Sequence, residues 1–188
     1  MRLPAGEING RRLWSLIIVL LTVVAGIMRG LYTGPAPPSK FYVTYNTPLV
    51  QKLLGNFKFA YLLSEYISNN VGLWCVLFML GSIFPLVIFD ILYFNFYAIT
   101  RMALYLGSGT TAYVLMMHGI YELVSIIMCS WASLSLFIIV ANELIAKIKH
   151  TEYYADFEFE AKLLGISLFA LVAAAFIEAY ATPLLWGG

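Results

Sequence analysis

Charge is what this sequence has least of. Asp, Glu, Lys and Arg make up 11% of it, against roughly 25% in an ordinary soluble domain. A chain so short of solvated groups cannot clothe a water-soluble globule. The charges it does carry nearly cancel, to a net +1. That removes the electrostatic footprint of a nucleic-acid partner. Without a polybasic block there is also no case for a dedicated anionic-lipid site. Cysteine is almost absent: Cys75 and Cys129 each lie in an apolar run. No CxxC and no Cys/His ligand cluster is present, so both read as buried free thiols and no metal or other cofactor is expected. The short alternating segments of a membrane β-barrel are missing too.

What fills the space is hydrophobic, 62% of all residues, arranged in long continuous runs. This predicts an all-α polytopic transmembrane helical bundle of four or five spans, plus an amphipathic interfacial helix. After a polar N-terminus at 1–12, a single transmembrane domain covers 13–186 and leaves no room for a separate soluble one. Its expected partners are the lipid bilayer and other membrane proteins, or a second copy of itself. Its expected location is the cell membrane.

Taken in order, spans are expected at about 13–32, 71–92, 113–141 and 163–186. The first apolar core is too long for a signal-peptide h-region and no A-x-A-like site follows, so it is read as a retained span anchored by Trp14. Gly34, Pro35, Pro37, Pro38 and Pro48 make 33–48 an extended connection. Residues 49–68 turn amphipathic, with Lys52, Lys58 and Glu65 set among apolar residues at helical spacing. Asn69 and Asn70 introduce the run Val71–Leu92, in which Pro85 is expected to kink the helix. Residues 93–106, with Asn95 and Arg101, either extend that helix, turn back as a re-entrant segment or form a short span. Asp90 and Arg101 fall near the expected span ends, within reach of headgroups or water. They can pair only if the chain reverses between them. Residues 142–162 hold the densest charge and read as a solvated hairpin or loop. The positive-inside rule favours an external N-terminus with four spans and the reverse with five.

The stretch 113–141 organises the rest. His118 and Glu122 stand four residues apart in an otherwise apolar segment, so they share a helix face. Ionisable groups at membrane depth turn inward, toward other helices or a wet cavity. Glu178, with Thr182 one turn later, repeats the pattern in the last run.

His118-Gly119-Ile120-Tyr121-Glu122-Leu123, Glu178-Ala179-Tyr180-Ala181-Thr182-Pro183 and the preceding Asn69-Asn70 and Asn95 together resemble the stage II sporulation protein M family, over roughly residues 60–186. Met117 stands where the family often has Pro. The resemblance implies a multi-pass helical fold. It also implies a task akin to that of the sporulation member, a membrane scaffold that recruits cell-wall-degrading partners.

The residues themselves leave three readings open. His118, Glu122, Glu178, Asn69, Asn70, Asn95 and Thr182 form a buried polar network that locks helix packing. Alternatively, the His and Glu side chains line a proton or solute path in a channel or permease component. In the third, His118, Glu122 and Glu178 ligate zinc in an intramembrane enzyme, but the H-E-x-x-H spacing is absent. The first reading is preferred. It makes the protein a non-enzymatic scaffold or accessory subunit of a larger membrane assembly, with no catalytic residue and no metal.

Overall fold

The computed structural model describes residues 5–35, 58–107, 119–151, 153 and 156–186. Among these residues are five helices and no strand: α1 Ala5–Thr33, α2 Lys58–Gly81, α3 Pro85–Leu106, α4 Ile120–Ile148 and α5 Glu158–Trp186. Four contain segments long and apolar enough to cross a bilayer: Gly10–Thr33, Pro85–Tyr105, Ile120–Ile148 and Glu158–Ala179. The all-α polytopic class follows directly from these lengths.

The expected span Val71–Leu92 is two helices. α2 ends at Gly81, a turn of Ser82, Ile83 and Phe84 follows, and α3 starts at Pro85. Proline at a first helical position loses no hydrogen bond, because that N–H has no partner in the helix. The turn closes through the Ser82 N–H on the Phe78 carbonyl and the Phe84 N–H on the Leu80 carbonyl. Gly81 is required here. A Cβ on it would stand 2.6 Å from the Ile88 side chain. Residues 93–106 simply continue α3, so Asp90 and Arg101 are three turns apart on one helix and do not meet.

The other boundaries shift as well. Residues 58–68 are the first half of α2 and run unbroken into its apolar half, while 49–57 lie outside the described residues. α4 continues two turns past Ala141, to Ile148. It ends where His150 takes a positive φ of 54° and the Thr151 N–H reaches back 2.9 Å to the Ala146 carbonyl, a Schellman-type closure. α5 begins at Glu158, ahead of the expected 163, because Asp156 accepts the Glu158 N–H at 3.0 Å and supplies a capping bond.

α4 is the centre of the bundle and packs against each of the other four helices. Its buried face is built from small residues, Ser125, Cys129, Ser130, Ala132 and Ser133, which let neighbouring backbones come close. α1 and α3 run parallel. Gly26 meets the Tyr93 backbone and Gly30 meets Thr100, with a hypothetical Cβ 2.6 Å from either. This Gly-xxx-Gly pair sets the closest approach between the two helices. Val19, Val23, Ile88, Leu92, Cys129 and Leu134 fill the shared interior.

Candidate functional site

Two polar clusters lie within the bundle, the first half-buried and the second built on a fully buried carboxylate. The first joins the middle of α2, the first turn of α4 and the last third of α5. Asn70 on α2 donates to Glu122 Oε1 on α4 at 2.6 Å. Glu122 lies in the first turn of α4, where the free N–H groups and the helix dipole favour an anion. Glu178 on α5 lies within electrostatic reach of Glu122. The structure thus brings three of the sequence-predicted residues, Asn70, Glu122 and Glu178, to one end of the bundle.

The remaining predicted residues divide. Asn95 donates to the Ile91 carbonyl of its own helix at 2.7 Å. His118 lies outside the described residues, as do the side chains of Asn69 and Thr182. Arg101 donates to the Gly34 carbonyl at 3.0 Å and to the Tyr97 hydroxyl at 2.8 Å, tying the end of α1 to α3.

The second cluster was not anticipated. Arg12 on α1 grips Glu160 on α5 through two parallel bonds, Nε to Oε1 at 3.0 Å and Nη2 to Oε2 at 3.1 Å. Ser135 on α4 donates to Glu160 Oε1 at 2.6 Å. The Glu160 side chain is 0% exposed. Arg12 also bonds the Asp156 carbonyl at 3.3 Å and lies 3.5 Å from its carboxylate. Its guanidinium sits 4.6 Å over the Phe159 ring, whose neighbour Trp131 packs edge-on at 5.1 Å. Trp131 Nε1 donates to the Arg12 carbonyl at 2.9 Å. Among the described residues the backbones of α1 and α5 do not pack directly, so this side chain is what links them. A planar fork suits the task, since it satisfies both carboxylate oxygens while stacking on an aromatic face.

Between the clusters a smaller set of bonds ties α2, α4 and α5. Trp74 Nε1 donates to Ser167 Oγ at 2.7 Å, and Ser125 Oγ donates to the Ser167 carbonyl at 2.7 Å. Cys75 and Cys129 are both free thiols, Cys129 buried and Cys75 half-buried. Among the described residues no three His, Cys, Asp or Glu side chains are placed to hold a metal ion. From Ser135 to Glu122 is about 20 Å along α4, and from Glu160 to Glu178 about 27 Å along α5. The two clusters therefore bracket most of a ~30 Å hydrocarbon core and do not meet at its centre.

This arrangement can hold helices in one register at both ends of the bundle. No curated protein and no solved structure matches the chain. The family model of Stage II sporulation protein M matches residues 13–183, a range that takes in Arg101, Glu122, Ser135, Glu160 and Glu178 alike. The chain is a multi-pass membrane protein and belongs to the Stage II sporulation protein M family.

Proposed function

We propose that the protein is a non-enzymatic scaffold or accessory subunit of a larger assembly in the cell membrane. The observation that supports this most is the closed character of the Arg12–Glu160–Ser135 cluster. The Glu160 carboxylate is fully buried, and both of its oxygens are taken by Arg12 and Ser135, which leaves it little to offer a solute or substrate. Such a cluster is useful for holding one arrangement of helices. The large exposed apolar side chains on α1 and α3, Leu21, Met28, Leu86 and Phe94 among them, provide ample surface for lipid and for neighbouring helices.

A channel or permease component is the alternative. The placement of Glu122 and Glu178 at the same end of the bundle, within electrostatic reach of each other, favours it, because carboxylates near a membrane face can relay protons. Extraction in a gentle detergent, followed by mass spectrometry of whatever co-migrates in fixed stoichiometry, separates the two. Partners at constant ratio support the scaffold. A lone homo-oligomer with proton flux lost in Glu122→Gln or Glu178→Gln contradicts it.

A further inference from the structure

Asp90 stands where a carboxylate should not be. It is exposed on the outside of the bundle, in an open groove between α1 and α3 that Leu21, Thr22, Phe89 and Tyr93 also line. The parallel register of the two helices puts it level with Thr22, near the middle of the α1 span Gly10–Thr33. It is about 15 Å along α1 from Arg12 and about 16 Å along α3 from Arg101. An Asp side chain is far too short to reach headgroups from there, unlike Lys or Arg. Around it the surface is apolar: Ile18, Leu21, Leu86 and Phe94 are all exposed. An ionisable group facing lipid at mid-depth is costly, and such groups are normally paired or turned inward. Asp90 is neither.

The groove also has a definite electrostatic sense. The carboxylate only accepts when ionised. The Thr22 hydroxyl has its proton committed to the Ile18 carbonyl at 3.0 Å and has only lone pairs left to offer. Among the described residues this chain has no cation of its own at that depth on the same face. Arg29 is the nearest on α1, about 10 Å further along, and lies over the Tyr32 ring. Arg12 and Arg101 are engaged elsewhere. A second copy docked through the same groove would set Asp90 against Asp90.

We propose that the groove around Asp90 seats a transmembrane helix of another membrane protein, one that carries Lys or Arg near the middle of its span. The proposal rests on the scaffold reading and identifies its docking face. Mid-depth ion pairing supplies both affinity and register, since a Lys displaced by a turn no longer reaches the carboxylate. The flanking apolar groove excludes lipid around the pair.

The test uses the full chain in phosphatidylcholine vesicles with a synthetic Leu/Ala single-span helix, association being read by energy transfer between labels. Three probes are compared, with Lys, Leu or Glu at the central position. The expected result is association with the Lys probe about tenfold or more tighter than with the Leu probe, lost in Asp90→Leu and weakened in Asp90→Asn. Both variants are checked for an unchanged unfolding midpoint, and an Ile166→Asp variant on the far face of α5 serves as control. Equal binding of the Lys and Leu probes overturns the proposal, as does retained preference in both Asp90 variants. Asp90-dependent self-association without any probe also overturns it and assigns the groove to a second copy. Co-purified native partners that stay bound to Asp90→Leu sink the groove assignment while leaving the scaffold reading standing. Absence of any native partner removes the scaffold reading without touching the probe result.

Discussion

Arg12 Nε and Glu160 Oε1 lie 3.0 Å apart across almost the whole length of the chain. One comes from the first helix and the other from the last, and the carboxylate is fully buried. A lone buried charge is far worse than a buried pair. Arg12→Met or Glu160→Leu alone should therefore destabilise the bundle by about 3–5 kcal/mol, read as a drop in the unfolding midpoint in detergent. The double variant should recover most of that loss. A double variant as unstable as the worse single one would mean that the pair contributes specific attraction beyond mutual neutralisation.

The α1–α3 contact depends on Gly26 and Gly30. A Cβ at Gly26 would stand 2.6 Å from the Tyr93 carbonyl oxygen, and backbone cannot step aside as a flexible side chain can. Gly26→Val should cost about 1–3 kcal/mol through overpacking. A Cβ at Gly165 meets nothing within 4 Å, so Gly165→Ala should leave stability unchanged or slightly raised. Thermal unfolding of the two variants side by side checks the contrast.

His150 is the one non-glycine residue with positive φ among those described, and it closes α4. An L-residue in that region is strained by roughly 1–2 kcal/mol. His150→Gly should relieve about 1 kcal/mol and raise the unfolding midpoint. A fall would show that the imidazole makes a contact worth more than the strain.

Glu122 accepts from Asn70 at 2.6 Å. Glu122→Gln keeps an acceptor oxygen for that bond and removes the ability to titrate. It should retain fold and partners. Glu122→Leu leaves the half-buried Asn70 amide without its acceptor and should cost about 1–3 kcal/mol. If Gln is as damaging as Leu, the charge itself matters and the relay reading gains.

The sequence carried the helical class and the central place of α4, because long apolar runs and one inward-facing Glu are local signals. Asn70, Glu122 and Glu178 stand out in the sequence as polar groups in or beside apolar runs, and the structure puts Asn70 on Glu122 with Glu178 at the same end of the bundle. The Arg12–Glu160 pair does not stand out. Arg12 stands in a polar N-terminus and Glu160 in the most charged segment, and each looks solvated until folding brings them together. Only the first-turn position of Glu160 in α5, three residues before a long apolar run, hints at a role. The split at Ser82–Phe84 was missed because Pro85 fits a kink as well as it fits a helix start. The spacing of Gly26 and Gly30 was a signal in plain view, and only the structure shows which helix it receives. Asp90 reads as a span-end residue in the sequence because it falls two residues before the end of the apolar run Val71–Leu92, which the structure divides at Ser82–Phe84. The parallel packing of α3 on α1 sets it level with Thr22, well inside the α1 span Gly10–Thr33.

On the proposed function, the polar groups inside the bundle hold it in one arrangement for its partners and do not carry a solute. This role is tested most directly by purifying wild type, Glu122→Gln and Glu178→Gln in gentle detergent and measuring partner stoichiometry, with proton flux of the same samples in vesicles. The expected result is the same partners at the same ratio in all three and no flux in any. A lone homo-oligomer whose proton flux disappears in either Gln variant would contradict it.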